Sequence, residues 1–329
     1  MNNKIGAEII GSGSAVPERI LTNQDLEQMV DTSDEWIVSR SGIRERRISD
    51  DQTATSDLSA LAARRALEDA NITADELDMI ILGTVTSDMV FPATACLVQD
   101  MIGAKNAAPM DVVAACSGFI YGLSMARALV CSGQQKTIMV LGAETLSKIT
   151  DYQDRNTCVL FGDAAGAVVV RAGDGDRGLV ETYLGGNGSL GHLLHMPGGG
   201  SRRPASHETV DQRLHFIKMS GNEVFKSAVK AMGDSALKVL DRAGLTAENL
   251  SLLIPHQANI RIIQATARRI HLPMEKVFVN IEHYGNTSAA TIPLAFDQAR
   301  RAGLGKPGEY WLLVAFGGGF TWGSALIRW

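Results

Sequence analysis

An internal repeat constrains the fold of this chain more than any other feature of its sequence. The segment ITADELDMIIL begins at Ile72 and LTAENLSLLIP begins at Leu245, an offset of 245 − 72 = 173 residues. The same offset relates Leu67 to Leu240 upstream, and it relates KTIMVLGAE at position 136 to EYWLLVAFG at position 309. Self-similarity at one fixed spacing is typical of a duplicated structural unit.

Each predicted half, 1–175 and 176–329, contains the same order of helices and apolar strands. Helices that alternate with continuous apolar strands predict an α/β protein whose sheets are buried between helical layers. The predicted helices are 57–70, 118–130, 223–243 and 287–302; the predicted strands are 79–85, 137–143, 251–257 and 310–316; and the predicted loops are 46–56 and 185–209.

Composition narrows the class of protein. A chain of 329 residues that is 45% apolar can bury a large core, and a net charge of −5 disfavours nucleic acid as the main partner. The sequence has no run of about 18 apolar residues and no signal-peptide pattern, which predicts no membrane span and no export. Four cysteines without a CxxC pair favour a reduced, cytoplasmic setting.

Cys116 lies at the joint between an apolar stretch and a helix-like stretch, in DVVAACSGFIYGLSMARAL. The two residues after it, Ser117 and Gly118, are small and suit a tight turn that opens a helix. A thiol at the amino end of a helix is stabilised as thiolate by free N–H groups and by the helix dipole, so we expect a lowered pKa and a nucleophile. The alternative is a buried structural cysteine.

Two further polar residues stand where a strand ends and where a helix begins. His256, in PHQANIRII, directly follows the apolar run LSLLI, and strand ends are where α/β proteins bind ligands. Asn286, in HYGNTSAATIPLAF, precedes a predicted helix. Both also have a structural interpretation: the histidine could hold a loop, and Asn286 or Thr287 could cap the helix.

The segment VAFGGGFTWG places three glycines after a strand. Glycines let backbone N–H groups approach a ligand, as an oxyanion hole requires, although a hairpin turn also explains them. The pair His192 and His195 has no acidic ligand nearby, so we predict no metal site. GSGS at 11–14 lacks the third glycine of GxGxxG and no Walker A motif is present, so the sequence does not support NAD or ATP.

Nine motifs, in this order, resemble the β-ketoacyl-ACP synthase III family of the thiolase superfamily, where ACP is acyl carrier protein. The resemblance covers nearly the whole chain and implies a thiolase-like, duplicated, five-layered α-β-α-β-α sandwich that forms a homodimer. The motifs are GSGSAVPE, TSDEWIVSRSGIRERR, AACSGF, DRNTCVLFGDAAGAV, PGGGSRRPASHETV, MSGNEVFK, PHQANIRII, GNTSAATIP and FGGGFTWG.

The resemblance implies an acyltransferase with the catalytic triad Cys116, His256 and Asn286. Cys116 would take an acyl group from acyl-CoA, and the other two residues would donate hydrogen bonds to the thioester of malonyl-ACP as it loses CO2. The backbone N–H groups of Cys116 and Gly319 would hold the tetrahedral oxyanion. The expected product is a 3-oxoacyl-ACP that initiates fatty acid synthesis, with no cofactor and no metal.

The resemblance also implies three sets of binding residues. Trp36 and Arg155 would sandwich the CoA adenine, and a basic face that includes Arg261, with Arg268 and Arg269 as candidates, would steer the acidic ACP. The CoA and pantetheine set is Trp36, Arg40, Arg155, Gly221, Phe225 and Asn259; the ACP set is Gln257, Ala258, Asn259, Ile260 and Arg261; and Phe91 belongs to the acyl pocket, with Cys96 nearby.

Four other functions remain open at this point. A related condensing enzyme of secondary metabolism would use another starter or nucleophile, and a thiolase-fold acyltransferase would omit the decarboxylation. The order Cys, His, Asn also fits a papain-like hydrolase, although the C-G-[SA]-C-[WY] signature is missing. A silent scaffold would not need the intact triad.

Overall fold

The repeated sequence pattern folds into two mixed sheets with helices between them and outside them. The structure is a computed structural model that describes residues 5–329, so the first four residues of the predicted N-terminal half lie outside the described residues. The strands are β1 (Gly6–Ala15), β2 (Ile20–Thr22), β3 (Glu45–Arg47), β4 (Met79–Gly83), β5 (Ala108–Val112), β6 (Thr137–Thr145), β7 (Asp163–Gly173), β8 (Gly178–Gly186), β9 (Leu194–His195), β10 (Lys218–Met219), β11 (Leu250–Pro255), β12 (Tyr310–Gly317) and β13 (Thr321–Arg328). The helices are α1 (Asn23–Glu27), α2 (Asp34–Ser41), α3 (Thr55–Ala70), α4 (Thr94–Ile102), α5 (Gly118–Cys131), α6 (Arg155–Cys158), α7 (His207–Asp211), α8 (Gly221–Ala243), α9 (Ile260–Arg269), α10 (Ile281–Tyr284) and α11 (Thr291–Arg301).

Four strands of each large sheet share one arrangement, β4-β6-β7-β1 in the first and β11-β12-β13-β8 in the second, and the first sheet has β5 as an additional edge strand. The first has the order β1-β7-β6-β4-β5 and the second has the order β11-β12-β13-β8. Parallel pairs join β6 to β4, β4 to β5 and β11 to β12, whereas β1–β7, β6–β7, β12–β13 and β8–β13 are antiparallel. The chain passes from the first sheet to the second between Gly173 and Gly178, where β7 ends and β8 begins.

Five layers result, because each sheet is covered on both faces. Helices α5 and α11 pack between the sheets, and their buried side chains form one core with the inner faces of both sheets, as Phe119 and Phe296 show. Helices α3 and α4 cover the outer face of the first sheet, and α8 and α9 cover the outer face of the second. Strand β6 is buried along its whole length, as its continuous apolar run predicts. The predicted α-β-α-β-α sandwich is therefore confirmed.

Residues that are 173 positions apart also share backbone conformations. Asn71 and Gly244 end α3 and α8 with the same left-handed conformation, at φ 52° and φ 67°. The 3₁₀ turns 115–117 and 288–290 lead directly into α5 and α11. Ala115 and Ser288 open these turns with φ 46° and φ 47°, which is unusual for residues other than glycine. The two halves therefore repeat a strained elbow.

The sequence prediction differs from the structure mainly in the irregular regions. The predicted loop 46–56 overlaps the end of β3 and the start of α3. The predicted loop 185–209 contains the end of β8, a 3₁₀ segment at 188–193, strand β9 and the start of α7. The predicted helix 287–302 starts instead as a 3₁₀ turn and becomes α-helical at Thr291. These elements are short or depend on distant partners, so local composition did not reveal them.

Candidate active site

Cys116 lies in the first elbow, between the end of β5 and the start of α5. Its 3₁₀ turn spans Ala115–Ser117, and α5 begins at Gly118, so the thiol stands at the amino end of the helix as predicted. Glycine is required beside this joint because a Cβ on Gly83 would lie 2.6 Å from the backbone carbon of Gly118. The thiol is almost fully buried, with 9% of the residue exposed.

His256 follows β11 and is held from two sides. Its backbone N–H donates to the carbonyl of Val314 in β12 at 2.8 Å, and its Nδ1 lies 2.7 Å from the hydroxyl of Thr291. That hydroxyl also lies 3.0 Å from the carbonyl oxygen of Ser288. If the hydrogen of the Thr291 hydroxyl points to Nδ1, a neutral His256 carries its own proton on Nε2. If that hydrogen points to the Ser288 carbonyl, His256 carries its proton on Nδ1.

Asn286 is fixed by backbone pairing with the segment that follows α6. Its N–H donates to the carbonyl of Leu160 at 2.8 Å, and its own carbonyl accepts from Gly162 at 3.1 Å. Its side-chain oxygen accepts from the N–H of Ser288 at 2.9 Å, which leaves the amide nitrogen as the donor end. The buried guanidinium of Arg46 supports the same segment by donating to the carbonyl of Val159 at 2.7 Å.

The structure brings Cys116, His256 and Asn286 to the wall of one cavity of about 110 Å³. All three residues are less than 10% exposed. Phe225, from α8, and Asn259, at the start of α9, line the same cavity. A nucleophile and two hydrogen-bonding side chains therefore share a narrow space that excludes most water.

A second cavity, of about 320 Å³, adjoins Cys116 on the other side. Gly319, in the β12–β13 turn, lines it together with Ser288, and the rest of its wall is largely apolar. The sequence analysis did not identify its apolar side chains, among them Leu146, Ile149, Phe161, Met196 and Ile217.

Phe91 does not line this cavity within the single chain. It is 83% exposed and stands beside Val90, which is 90% exposed, so both side chains are on the surface. Cys96, in α4, is partly buried and also lies outside both cavities. Within a single chain, Phe91 is thus not part of an acyl pocket, although the family resemblance implied that it is.

Burial dominates the electrostatics of the site. It raises the pKa of the Cys116 thiol to about 12, with a smaller contribution in the same direction from the charge of Glu144. The expectation of a lowered thiol pKa at the helix start is therefore wrong for this state of the site, because the loss of water outweighs the favourable end of the helix. Burial also lowers the pKa of His256 to about 3, so the imidazole is neutral at physiological pH.

Glu144, at the end of β6, is a functional candidate that sequence reasoning missed. It is fully buried, and burial raises its pKa to about 7. It accepts hydrogen bonds from the backbone N–H groups of Val85 and Thr86 and from the hydroxyl of Ser288 at 3.0 Å. The available signal was an acidic residue that ends an otherwise apolar strand, in TIMVLGAE.

The candidate CoA residues are together, but not in the expected arrangement. Arg155 and Arg40 lie over the Trp36 ring with guanidinium carbons 4.3 and 4.8 Å from its centre. An adenine stacked between them would require the Trp36 ring and the Arg155 guanidinium to be separated by about twice the ~3.5–4.0 Å at which two carbon atoms are in contact. Arg155 must therefore swing away from the tryptophan, and from its ion pair with Asp31 at 3.7 Å, before a base can enter.

The candidate pantetheine residues lie next to the candidate CoA residues. Gly221 begins α8 and lines the smaller cavity with Phe225 and Asn259. The Asn259 side chain caps α9 by accepting from the N–H of Arg261 at 2.8 Å, and it donates to the carbonyl of Arg40 at 2.8 Å. Asn259 thus ties the start of α9 to the end of α2.

The candidate ACP residues differ in exposure. Arg261, Arg268 and Arg269 are exposed on α9, and Arg261 lies over the ring of Phe225, with its guanidinium carbon 5.7 Å from the ring centre. Ala258, Asn259 and Ile260 are partly buried. Gln257 is buried, and its side-chain amide donates to the carbonyl of Pro255 at 2.8 Å and accepts from the N–H of Asn280 at 3.1 Å. Gln257 therefore supports the loop from inside and does not offer its side chain to a docking protein.

Two searches of the described part of the chain gave negative results. In residues 5–329, no group of three or more His, Cys, Asp or Glu side chains is placed to hold a metal ion. Over the same range, no helix combines the length and the apolar character that a membrane crossing requires.

Comparisons with known proteins agree over the whole length of the chain. The family described as 3-oxoacyl-[acyl-carrier-protein (ACP)] synthase III matches residues 110–188, and its C-terminal counterpart matches residues 240–329. The chain is 57% identical to the beta-ketoacyl-[acyl-carrier-protein] synthase III of Caldanaerobacter subterraneus subsp. tengcongensis, over 100% of this chain and 99% of that protein.

Solved structures show the same similarity. The crystal structure of 3-oxoacyl-[acyl-carrier-protein] synthase III from Aquifex aeolicus VF5 superposes with a TM-score of 0.91 at 48% identity, covering 98% of this chain and 100% of that one. The priming beta-ketosynthase from the R1128 polyketide biosynthetic pathway also gives a TM-score of 0.91, at 32% identity, covering 100% of this chain and 97% of that one.

Proposed function

The chain belongs to the 3-oxoacyl-[acyl-carrier-protein] synthase III family, as its sequence motifs indicate, and from this premise we propose how its site works. The enzyme is an acyltransferase that condenses an acyl-CoA primer with malonyl-ACP to give 3-oxoacyl-ACP, CoA and CO2, the reaction that initiates fatty acid synthesis. The observation that carries the assignment of residues is the convergence of Cys116, His256 and Asn286 on one buried cavity.

In the first half-reaction, the Cys116 sulfur attacks the thioester carbon of the acyl-CoA. The C–S bond to CoA breaks, and the acyl group stays on the cysteine. The backbone N–H groups of Cys116 and Gly319 stabilise the oxyanion that forms on the way, and a donor of this kind contributes about 3 kcal/mol to lowering the barrier. The apolar cavity of about 320 Å³ that contains Gly319 receives the acyl chain, and its apolar lining supports a hydrocarbon primer.

In the second half-reaction, malonyl-ACP enters through the smaller cavity. With the Thr291 hydroxyl turned to Nδ1, His256 donates from Nε2, and Asn286 donates from its amide nitrogen, to the thioester oxygen. The malonyl C–C bond breaks, CO2 leaves, and the electron pair forms an enolate that these donors stabilise. A neutral imidazole suits this task because it donates without protonating the carbanion outright. The carbanion then attacks the acyl-cysteine and frees the sulfur.

The binding partners follow from the same arrangement. Trp36, Arg40 and Arg155 bind the nucleotide end of CoA, and Gly221, Phe225 and Asn259 line the path of its pantetheine arm. The exposed arginines of α9 attract the acidic ACP, and Arg261 among them lies over Phe225, which lines the smaller cavity. No resident cofactor or metal takes part in this scheme.

Each chain is proposed to consist of the two halves 1–175 and 176–329, and two features support a homodimer of such chains. Val90 and Phe91 form an exposed apolar tip, and β5 is an edge strand of the first sheet. Exposed apolar tips and unpaired edges are typical of surfaces that another chain covers. Phe91 then reaches an acyl pocket only across the dimer.

Four free cysteines support a cytoplasmic location.

A second candidate function uses the same chemistry with another starter unit. The structural similarity to a priming β-ketosynthase of a polyketide pathway favours it over the remaining alternatives. A panel of acetyl, branched and medium-chain acyl-CoA primers distinguishes the two, because the preferred primer identifies the pathway.

The test follows each half-reaction separately. Incubation with acetyl-CoA should leave an acyl adduct on Cys116, detected by mass spectrometry, and malonyl-ACP should then release CO2. Cys116→Ala should lose the adduct, while the control Cys158→Ala, a buried thiol outside both cavities, should keep it. His256→Ala should acylate but fail to decarboxylate. Hydrolysis of the adduct without CO2 release would point to a hydrolase, and equal loss of both steps in His256→Ala would reject its assigned role.

A further inference from the structure

Glu144 is a buried acid at the active site for which the reaction described above has no use. None of its surface is exposed, and the segment after β4 surrounds its carboxylate with donors. These donors are the N–H groups of Val85 and Thr86, the Thr84 hydroxyl at 3.2 Å and the Thr86 hydroxyl at 2.5 Å. Burying a carboxyl group is costly, and no arginine or lysine in the described range 5–329 pairs with this one, so its retention calls for an explanation.

Ser288 links this carboxyl group to the nucleophile. Its hydroxyl lies 3.0 Å from Glu144 Oε1, and Ser288 lines the same cavity as Cys116, where its hydroxyl lowers the pKa of the thiol and so favours the thiolate. Ser288 is held in place by its left-handed backbone, φ 47°, and by the bond from its N–H to Asn286. The side chain that joins Glu144 to Cys116 is therefore positioned by the second elbow of the repeat.

The hydroxyl of Ser288 has one hydrogen and can serve its two neighbours in two ways. It donates to Glu144 when that group is ionised, and its oxygen then accepts from the thiol. When Glu144 is protonated, the carboxylic acid donates to Ser288, and Ser288 donates to the thiolate. Both arrangements satisfy all three groups, and they differ by the transfer of one proton.

We propose that Glu144 is a positioning residue that takes the Cys116 proton through Ser288 during acyl transfer. The S–H bond breaks as its proton passes to the Ser288 oxygen, and the Ser288 proton passes to Glu144. The sulfur electron pair forms the bond to the acyl carbon, and the bond to the CoA sulfur breaks. The proton then returns through Ser288 to the departing CoA thiolate, so Glu144 is ionised again.

The net charge of the Glu144–Cys116 pair supports this path for the proton. A thiolate beside an ionised Glu144 would place two negative charges in one buried site, and the charge of Glu144 raises the pKa of the thiol. Moving the proton from one group to the other keeps a single negative charge throughout. His256 is the other group that could accept the Cys116 proton, but burial lowers the pKa of its imidazole to about 3, which makes it a poor proton acceptor.

Within residues 5–329, the groups that donate hydrogen bonds to Glu144 are all uncharged. The segment after β4 contributes Thr84 and Thr86, and α3 contributes Thr55, whose hydroxyl lies 3.3 Å from that of Thr86. The second elbow contributes Ser288, and the first contributes Cys116, the thiol whose pKa the charge of Glu144 raises. A change in acylation rate near neutral pH therefore reports the exchange between Glu144 and Cys116 as a coupled pair.

The inference depends on the proposed function, and the test is the rate at which acetyl-CoA acylates Cys116 between pH 5.5 and 8.5. Wild-type acylation should rise with pH through an inflection near 7, where Glu144 loses its proton. Glu144→Gln keeps the shape of the side chain but cannot take a proton, so acylation should fall by about 10²-fold, the usual contribution of a positioned base, and the inflection should vanish. Glu144→Asp should restore the inflection at a lower rate.

Two further variants separate the relay from a structural role. Ser288→Ala should lower acylation as much as Glu144→Gln does, and the double variant should be no slower than either one. Asp163→Asn is the matched control, because Asp163 is equally buried and accepts from Ser147 and Ser49 rather than from the active-site turn. It should keep the wild-type rate and inflection.

Each outcome decides a different question. A Glu144→Gln enzyme that acylates within threefold of wild type, or that keeps the inflection, overturns the inference. If that variant does not fold, an unchanged pH profile in Ser288→Ala overturns it equally. A wild-type enzyme that forms no adduct with any acyl-CoA rejects the proposed function instead.

Discussion

The elbow that holds Cys116 is packed so closely against the other half that one methyl group should displace it. A Cβ on Gly317, the last residue of β12, would lie 2.6 Å from the Cys116 nitrogen and 3.1 Å from the Ala115 Cβ. Ordinary contact begins at 3.4 Å, so the elbow would have to retreat by about 3.4 − 2.6 = 0.8 Å. The Thr321 hydroxyl resists this movement by donating to the carbonyl of Ala114 at 2.8 Å.

Gly317→Ala should therefore lose activity more than stability. Overpacking of this kind costs about 1–3 kcal/mol. With about 2.1 cal/mol/K of unfolding entropy per residue over 329 residues, each kcal/mol lowers Tm by about 1.5 °C, so we expect a drop of about 1.5–4.5 °C. Displacing a nucleophile by nearly 1 Å should slow its acylation by about 10²-fold.

The assay compares two glycine variants by calorimetry and by the rate of acyl-adduct formation on Cys116. Gly188→Ala is the control, because a Cβ there meets nothing within 4 Å, and it should resemble wild type in both measurements. If Gly317→Ala acylates within threefold of wild type, the elbow yields to the methyl group, and the argument from close packing is refuted.

Two other predictions concern the CoA site and the buried acid. Trp36→Ala should raise KM for acyl-CoA by about 5–150-fold, the value of one stacked base, and leave malonyl-ACP decarboxylation unchanged; an unaltered KM would remove Trp36 from the site. Burial raises the pKa of Glu144 from 4.5 to about 7, so between these values the folded state holds a proton that the unfolded state has released. The free energy of unfolding of wild type should therefore fall relative to that of Glu144→Gln as pH rises from 5 to 7. Urea titrations at each pH measure both free energies. A difference between the two proteins that stays constant with pH would contradict the raised pKa of Glu144.

The sequence alone determined the architecture and the place of the nucleophile. Local patterns suffice here, because helix and strand periods are read over a few residues and the repeat compares such patterns along one chain. The apolar run before Cys116 and the small residues after it predicted a strand-to-helix joint there before any strand pairing was known, and the structure shows α5 and α11 starting 291 − 118 = 173 residues apart. The positions of His256 and Asn286 at element ends were likewise local information.

Only the tertiary structure decided which polar groups are buried and what they touch. Glu144 lies near the end of an apolar strand, yet its partners come from segments about 60 residues before it and 144 after it, because the segment after β4 and the second elbow meet at its carboxylate. Gln257 sits within a motif expected at the surface and turns inward to Pro255 and Asn280. The helix start predicted an acidic Cys116 thiol, whereas the loss of water on packing raised its pKa. Desolvation depends on everything packed around a group, and neighbours along the chain do not specify it.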